Sequence, residues 1–169
     1  SNVLTTAYGQ GSTVTPIQLM QAFSAIANEG QMMQPYVIDK IVNPNTGELI
    51  LQSEPVVKSN PVSAETANQV KQLLASTVTS EVGTAKRFAL DGYDVGGKTG
   101  TAQIPEKGTG GYAKGKNEFL FSFLGMAPVE DPQLTMYVAI TKPKLKIGEQ
   151  GSDPVSQVFK SVMQNSLMY

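Results

Sequence analysis

Residues 95–104 read Val-Gly-Gly-Lys-Thr-Gly-Thr-Ala-Gln-Ile, and this stretch decides the fold. It has no helical period, it is rich in threonine and small residues, and a Pro/Gly-rich turn follows it. These features predict a β-strand. The strand carries an ammonium at Lys98, hydroxyls at Thr99 and Thr101, and a backbone open to close approach at Gly100. That combination suits binding of a carboxylate and polarisation of a carbonyl.

Residues 92–99 also fit the phosphate-loop spelling G-x-x-x-x-G-K-[ST]. A phosphate loop must open a helix at its Lys-Thr pair, because the helix N-terminus supplies the amides and the dipole that hold the anion. Gly100 and Pro105 oppose a helix at this point. Residues 87–91 are too short and too charged for the buried parallel strand that should precede such a loop. The sequence therefore disfavours a nucleotide site.

The composition excludes several classes of protein. With 169 residues, 40% of them hydrophobic, the chain is an ordinary globular one. A formal net charge of −1 without any Lys/Arg run argues against binding of nucleic acid or another polyanion. The chain has neither Cys nor His, which excludes disulfides and thiolate metal sites and removes the commonest general base. Acid/base chemistry would have to use Lys, Tyr, Asp or Glu, and we expect no metal and no cofactor.

Periodicity and turn signals predict a helix, a β-hairpin, a second helix, three antiparallel strands and a third helix. In order, these elements run from Thr15-Pro16 to Gly30, over 36–42 and 48–51, over 64–79, over 95–104, 119–126 and 134–141, and from Ser152-Asp153-Pro154 onward. Residues 119–126 are apolar on both faces, as expected of a central strand. Helices on the faces of an antiparallel sheet make an α+β fold.

Each predicted helix has an apolar face that we expect to pack in the core. The residues of these faces are Ile17, Met20, Phe23 and Ala27 on the first helix, Val70, Leu73, Leu74 and Val78 on the second, and Val155, Val158, Phe159, Val162, Met163 and Leu167 on the third.

Two groups of motifs carry a resemblance to a known family. The first is Tyr8-Gly9-Gln10-Gly11, followed by Thr15-Pro16-Ile17-Gln18-Leu19 and by residues 25–30; the second is Gly97-Lys98-Thr99-Gly100-Thr101-Ala102-Gln103. In this order and spacing they resemble the transpeptidase domain of class B penicillin-binding proteins, the monofunctional D,D-transpeptidases of peptidoglycan synthesis. The second group includes the K-T-G element of penicillin-binding proteins and serine β-lactamases. The resemblance implies their α+β fold, an antiparallel sheet with flanking helices.

Two other motifs of that family are missing. The family needs a nucleophilic serine in S-x-x-K and a second motif of the S-x-N type, and neither spelling occurs in this sequence. In the family both motifs precede the Gly-Gln-Gly segment. We therefore expect residues 1–169 to be the C-terminal portion of a single transpeptidase domain whose N-terminal half, with the nucleophile, is absent. The chain alone should be inactive. The alternative is a degenerate relative without a nucleophile.

The resemblance also assigns roles along the strand. Lys98 would place positive charge near the serine-type hydroxyls and help to hold the terminal carboxylate of the substrate. The hydroxyls of Thr99 and Thr101 would donate hydrogen bonds to that carboxylate, and the backbone N–H of Thr101 would be one of two oxyanion-hole donors. Gly100 would let the substrate lie against the strand as an added β-strand. Gln103, at the far end, would touch the stem peptide.

Other candidate residues lie outside the strand. Tyr112 and Lys114 belong to the Gly-rich connection after the strand, where they could gate a cleft or simply be solvated. Tyr8 and Gln10 could brace the floor of the site or pack in the core. Glu118, beside an apolar strand, is expected to be a surface charge.

The implied activity is serine acyl transfer that crosslinks peptidoglycan stem peptides and is inhibited by β-lactams. The implied partners are the missing N-terminal half, stem peptides, β-lactams and proteins of the divisome or elongasome, but no nucleic acid. The implied location is the extracytoplasmic face of the bacterial cell membrane, with the anchor outside this chain. Two other classes stay open: a β-lactam sensor domain, and a non-catalytic scaffold module of wall synthesis.

Overall fold

The computed structural model describes residues 13–106, 108, 110–115 and 117–169. Its elements are α1 (Pro16–Ala27), β1 (Met32–Met33), β2 (Lys40–Val42), β3 (Leu49–Gln52), β4 (Val57–Ser59), α2 (Ala64–Thr79), a 3₁₀ turn (Lys86–Phe88), β5 (Gly96–Gln103), β6 (Phe119–Ala127), β7 (Leu134–Thr141) and α3 (Ser152–Leu167). The predicted order of helices and strands is confirmed. The Tyr8–Gly11 motif, with the candidates Tyr8 and Gln10, lies outside the described residues.

The main sheet has the strand order β5-β6-β7 and is antiparallel throughout. β6 is its central strand, as its apolar sequence predicts, and β5 lies at one edge. The register pairs Lys98 with Leu124 and Gly100 with Ser122. The strand predicted over residues 95–104 is thereby confirmed, and no helix opens at Lys98, so a phosphate loop is excluded.

Helices cover both faces of this sheet. On one face, Phe123 of β6 stacks on Phe88 with ring centroids 3.7 Å apart and meets Phe159 of α3 edge-on at 4.8 Å. On the other face, Leu124 and Met126 pack in a second cluster around Phe23 of α1, together with Leu74 of α2. The α+β arrangement of helices flanking an antiparallel sheet is therefore confirmed.

Local signals explain where α1 and α2 begin. The Thr15 hydroxyl accepts from Gln18 N at 3.3 Å, and the Gln18 side chain accepts from Thr15 N at 2.9 Å, which makes a capping box with Pro16 in the first turn. At α2 the Ser63 hydroxyl accepts from Thr66 N at 3.1 Å. Within the described part of the chain, no helix is long and apolar enough to cross a lipid bilayer.

The segment between α1 and α2 differs from the prediction. Only Lys40–Val42 and Leu49–Gln52 pair in the predicted hairpin, and every residue of both strands is exposed. An additional pairing joins Met32–Met33 to Val57–Ser59. A two-stranded ribbon without a buried face lacks the hydrophobic packing that stabilises longer strands, which accounts for the short strands.

Some residues predicted to face the core are exposed. The exposed fractions are 56% for Ile17, 67% for Leu73, 42% for Val158 and 46% for Val162. On α3 the buried positions are Val155, Ser156, Phe159 and Met163, which form a stripe narrower than the six predicted residues. The prediction was wrong because a helix that packs on one sheet face buries only the residues nearest the contact line.

The second helix also buries a residue that its apolar period does not include. Lys71 is 5% exposed, and its Nζ donates to the Glu130 carbonyl oxygen at 3.3 Å. This bond ties α2 to the turn between β6 and β7. The aliphatic stem of lysine can pack like an apolar side chain while its ammonium reaches a carbonyl.

Candidate functional site

The strand β5 is buried at its first residues and open further along. Gly96 and Gly97 are buried, Lys98 is exposed, and Thr99 and Gly100 are half-buried. The remaining residues, Thr101, Ala102 and Gln103, are exposed. The structure thus presents the predicted group of polar side chains on the accessible part of an edge strand.

Alternation along the strand divides these side chains between the two faces of the sheet. A Cβ built on Gly96 would lie 3.3 Å from the Ala75 nitrogen of α2, whereas one built on Gly97 would meet the Phe123 ring on the opposite face. Because successive side chains point to opposite faces, Lys98 shares the α2 face, whereas Thr99 and Thr101 share the face of Phe123. The three side chains can therefore meet a common ligand only at the free edge between the faces.

The backbone of β5 also turns toward this edge at alternate residues. The Gly97 carbonyl accepts a hydrogen bond from the Thr77 hydroxyl of α2 at 2.7 Å, so it points away from β6. In an antiparallel ladder, residues that turn both backbone groups to the partner alternate with residues that turn both away. Thr99 and Thr101 therefore direct their N–H groups outward, as an oxyanion-hole donor must.

The ammonium of Lys98 also reaches the edge. Its Nζ donates to the Thr99 carbonyl oxygen at 2.8 Å. Among the described residues, no carboxylate pairs with Lys98, and no group forms a hydrogen bond with the hydroxyls of Thr99 or Thr101. The ammonium keeps two further N–H donors, so one cation, two hydroxyls and an outward N–H are available to an anionic ligand with a carbonyl group.

A close contact across the sheet, which the sequence alone does not predict, explains why residue 100 is glycine. A Cβ at this position would lie 2.5 Å from the hydroxyl oxygen of Ser122 on β6. The Ser122 hydroxyl therefore fills the space beside Gly100, on the face that carries Lys98. Sequence reasoning missed Ser122 and Thr77, because their closeness to the strand depends on pairing and packing between distant segments.

The connection after β5 is folded back on itself. Pro105 and Tyr112 form a β-bridge, and Ala113 N donates to the Ile104 carbonyl at 2.9 Å. Tyr112, 44% exposed, therefore lies beyond Gln103 at the far end of the open edge. Gln103 and Tyr112, both candidate ligand-binding residues, therefore lie at the same end of β5.

Two other features lie apart from this edge. Glu118 forms an ion pair with Lys142, with side-chain exposures of 31% and 49%, in line with the surface charge that we predict. An apolar groove of about 420 Å³ runs between α1 and β7 and is lined by Ile17, Met20 and Tyr137 among others. Because β7 is the opposite edge strand from β5, this groove is separate from the Lys98 site.

Comparison with known proteins adds to this geometry. Residues 1–164 match the penicillin binding protein transpeptidase domain. Stage V sporulation protein D of Bacillus subtilis is 39% identical over 163 residues, which are 96% of this chain and 24% of that protein. The probable peptidoglycan D,D-transpeptidase PenA of Neisseria flavescens is 31% identical over 163 residues, which are 96% of this chain and 36% of that protein.

Solved structures show the same fold. Penicillin binding protein 2X from Streptococcus thermophilus superposes with a TM-score of 0.87 at 31% identity, over 99% of this chain and 25% of that one. Penicillin binding protein 3 from Mycobacterium tuberculosis, complexed with aztreonam, superposes with a TM-score of 0.76 at 27% identity, over 94% and 37%. The chain thus spans about a quarter to a third of the length of these similar proteins.

Proposed function

The chain belongs to the penicillin-binding protein transpeptidase family, and on this basis we propose that it forms part of a serine D,D-transpeptidase that crosslinks peptidoglycan stem peptides and is acylated by β-lactams. The observation that carries the proposal is the free edge of β5. There the Lys98 ammonium, the hydroxyls of Thr99 and Thr101 and the outward Thr101 N–H lie within four consecutive residues of the accessible part of an edge strand.

The proposed reaction has two acyl-transfer steps. A serine hydroxyl, which loses its proton to a nearby lysine, attacks the penultimate D-Ala carbonyl and expels the terminal D-Ala as the free amino acid. The amine of a neighbouring stem peptide then attacks the resulting ester, forms the crosslinking amide and releases the serine. The S-x-x-K motif for this chemistry does not occur in these 169 residues. The serine therefore comes from another part of the protein, which is the proposed partner of this chain.

The groups of this chain bind the substrate and stabilise charge. Lys98 attracts the terminal carboxylate, and the hydroxyls of Thr99 and Thr101 donate hydrogen bonds to it. The Thr101 N–H stabilises the oxyanion of each tetrahedral intermediate, an interaction typically worth about 2.7–4 kcal/mol in the transition state. Gln103 and Tyr112, at the far end of the edge, contact the stem peptide on the amino-terminal side of the scissile bond.

The biological setting is part of the same proposal. We place the enzyme at the extracytoplasmic face of the bacterial cell membrane, where its substrate lies, with the membrane anchor in another part of the protein. Proteins of the divisome or elongasome are the proposed macromolecular partners. The names of the relatives, which include Stage V sporulation protein D and an FtsI homolog, support a role in cell-wall synthesis.

Fluorescent penicillin tests the proposal on the full-length protein that contains this chain. We expect wild type to be labelled covalently, and Lys98→Ala and Thr99→Val to be labelled at least ten times more slowly. Lys144→Ala and Thr79→Val are matched controls, because both residues are exposed. Lys144 follows the opposite edge strand, and the Thr79 hydroxyl donates to the Ala75 carbonyl of its own helix. An unlabelled wild-type protein contradicts the proposed activity. Unchanged labelling of both site variants contradicts the assignment of the site.

A further inference from the structure

The helix α2 packs against the first residues of β5 and so determines where the free edge of this strand begins. Gly96 and Gly97 are buried, and a Cβ on Gly96 would lie 3.3 Å from the Ala75 nitrogen, so the helix backbone is close to the strand. The Thr77 hydroxyl, from the last turns of α2, lies 2.7 Å from the Gly97 carbonyl oxygen. A strand added to this edge would find the Gly97 carbonyl already occupied. The next backbone groups that face outward along the strand are those of Thr99.

The hydroxyl of Thr77 has one proton and two nearby acceptors. It lies 2.8 Å from the Leu74 carbonyl of its own helix and 2.7 Å from the Gly97 carbonyl. Leu74 also has the helical N–H of residue 78 as a donor, because both residues belong to α2. The Gly97 carbonyl points away from β6, and Thr77 is the donor that the described residues supply to it. Donation to Gly97 therefore leaves neither acceptor without a partner.

Thr77 is itself held on the other side. Its backbone carbonyl accepts from Ala85 N at 2.9 Å, and a Cβ on Gly83 would meet that same carbonyl. The turn after α2 thus packs against Thr77. The hydroxyl is fixed in place before any ligand arrives, as a group that positions a site must be.

We propose that Thr77 is a positioning residue for the Lys98 site: through the Gly97 carbonyl it holds the backbone next to Lys98 and closes the edge of β5. An extended ligand that pairs antiparallel to β5 has its carboxyl end at the Gly97 end of the strand. Because Thr77 blocks the edge there, the ligand must end at Lys98 and Thr99, with a free carboxylate. The inference rests on the proposed function. Thr77 acts through Gly97 and touches no ligand.

The test compares two penicillins on the full-length protein: one with its free carboxylate, and its methyl ester. Acylation is followed by stopping the reaction at intervals and labelling the unreacted enzyme with fluorescent penicillin. Thr77→Val keeps the shape of threonine and removes the hydroxyl. We expect it to react about ten times more slowly with the free acid, while its slow reaction with the ester stays within twofold of wild type. Thr77→Ser, which keeps the hydroxyl, should restore the rate with the free acid.

The control is Thr79→Val, the same substitution two residues further along α2. The Thr79 hydroxyl is exposed and donates to the Ala75 carbonyl of its own helix, so we expect wild-type rates with both penicillins. If Thr77→Val shows no cooperative thermal transition, Thr77→Ala replaces it with the same expected rates, since it also lacks the hydroxyl and fits the available space.

Each outcome decides between the inference and the proposed function. If wild type reacts with neither penicillin, the proposed function fails. If wild type reacts with the free acid and the Thr77 variant does so equally fast, the function stands and the positioning role is refuted. The role is also refuted if the variant loses the same factor with acid and ester, or if Thr77→Ser does not recover, because a general loosening of the fold predicts those results.

Discussion

Gly100 and Ser122 provide a quantitative test of the register between β5 and β6. In Gly100→Ala the new Cβ would lie 2.5 Å from the Ser122 hydroxyl oxygen but 3.8 Å from the Ser122 Cβ. The clash is therefore with the hydroxyl alone. In the double variant Gly100→Ala/Ser122→Ala the two Cβ atoms would be in ordinary van der Waals contact.

The magnitude follows from how the clash can be relieved. Overpacking typically costs about 1–3 kcal/mol, and rotation of one small side chain is an easy response, so the lower end of this range applies to Gly100→Ala. We expect a loss of about 1 kcal/mol, equivalent to about 2–4 °C in Tm for a domain of 150–250 residues. Ser122→Ala should lie within about 0.5 kcal/mol of wild type, because it removes one hydroxyl from a side chain that is only half-buried. The double variant should match Ser122→Ala, which gives a coupling of about 1 kcal/mol.

The assay is thermal unfolding of the full-length protein in its wild-type, single-variant and double-variant forms. Gly97→Ala is the contrasting control, because its Cβ would meet the buried Phe123 ring and lie 2.6 Å from the Leu124 carbonyl oxygen, neither of which can rotate away. It should lose about 3 kcal/mol or fail to fold. Additive Tm changes in the Gly100/Ser122 cycle would refute the register, as would a Gly97→Ala protein as stable as Gly100→Ala.

Two further predictions concern the core and the isolated chain. Phe159→Ala should lower the free energy of unfolding by about 3–5 kcal/mol, because the ring is fully buried against Phe88 and Phe123. Val158→Ala should lower it by less than about 1 kcal/mol, because Val158 is 42% exposed. Urea unfolding of the full-length variants measures both values, and equal losses would contradict the assignment of the buried stripe. The 169-residue chain on its own should take up no fluorescent penicillin, because it lacks an S-x-x-K serine; a labelled band at its mass of 18.0 kDa would contradict the division of the site.

Local signals in the sequence predicted the elements that depend on neighbouring residues. Thr15-Pro16 marks the start of α1, because a capping side chain and a proline act on the next three residues only. The strand over residues 95–104 follows from its lack of helical period and from the turn after it. Membership of the family follows from the order of short motifs, and the comparisons confirm it.

Packing between distant segments was not predictable in the same way. A helical period gives the direction of an apolar face but not its width, which is why Val158 and Leu73 are exposed rather than buried. The approach of Ser122 to Gly100 and of Thr77 to Gly97 depends on the strand register and on where α2 crosses the sheet. Neither the register nor the crossing point can be predicted from the residues next to the site. The contacts of Ser122 and Thr77 with β5 could therefore be identified only in the structure.

A crystal structure of the full-length protein acylated by a penicillin tests the central claim most directly. We predict an ester to a serine outside these 169 residues, with the acyl carbonyl oxygen about 2.7–3.1 Å from the Thr101 nitrogen. The penicillin carboxylate should accept hydrogen bonds from Thr99 and Thr101 near the Lys98 ammonium. An acyl group whose carbonyl faces away from Thr101, or a carboxylate bound away from the edge of β5, would contradict the account.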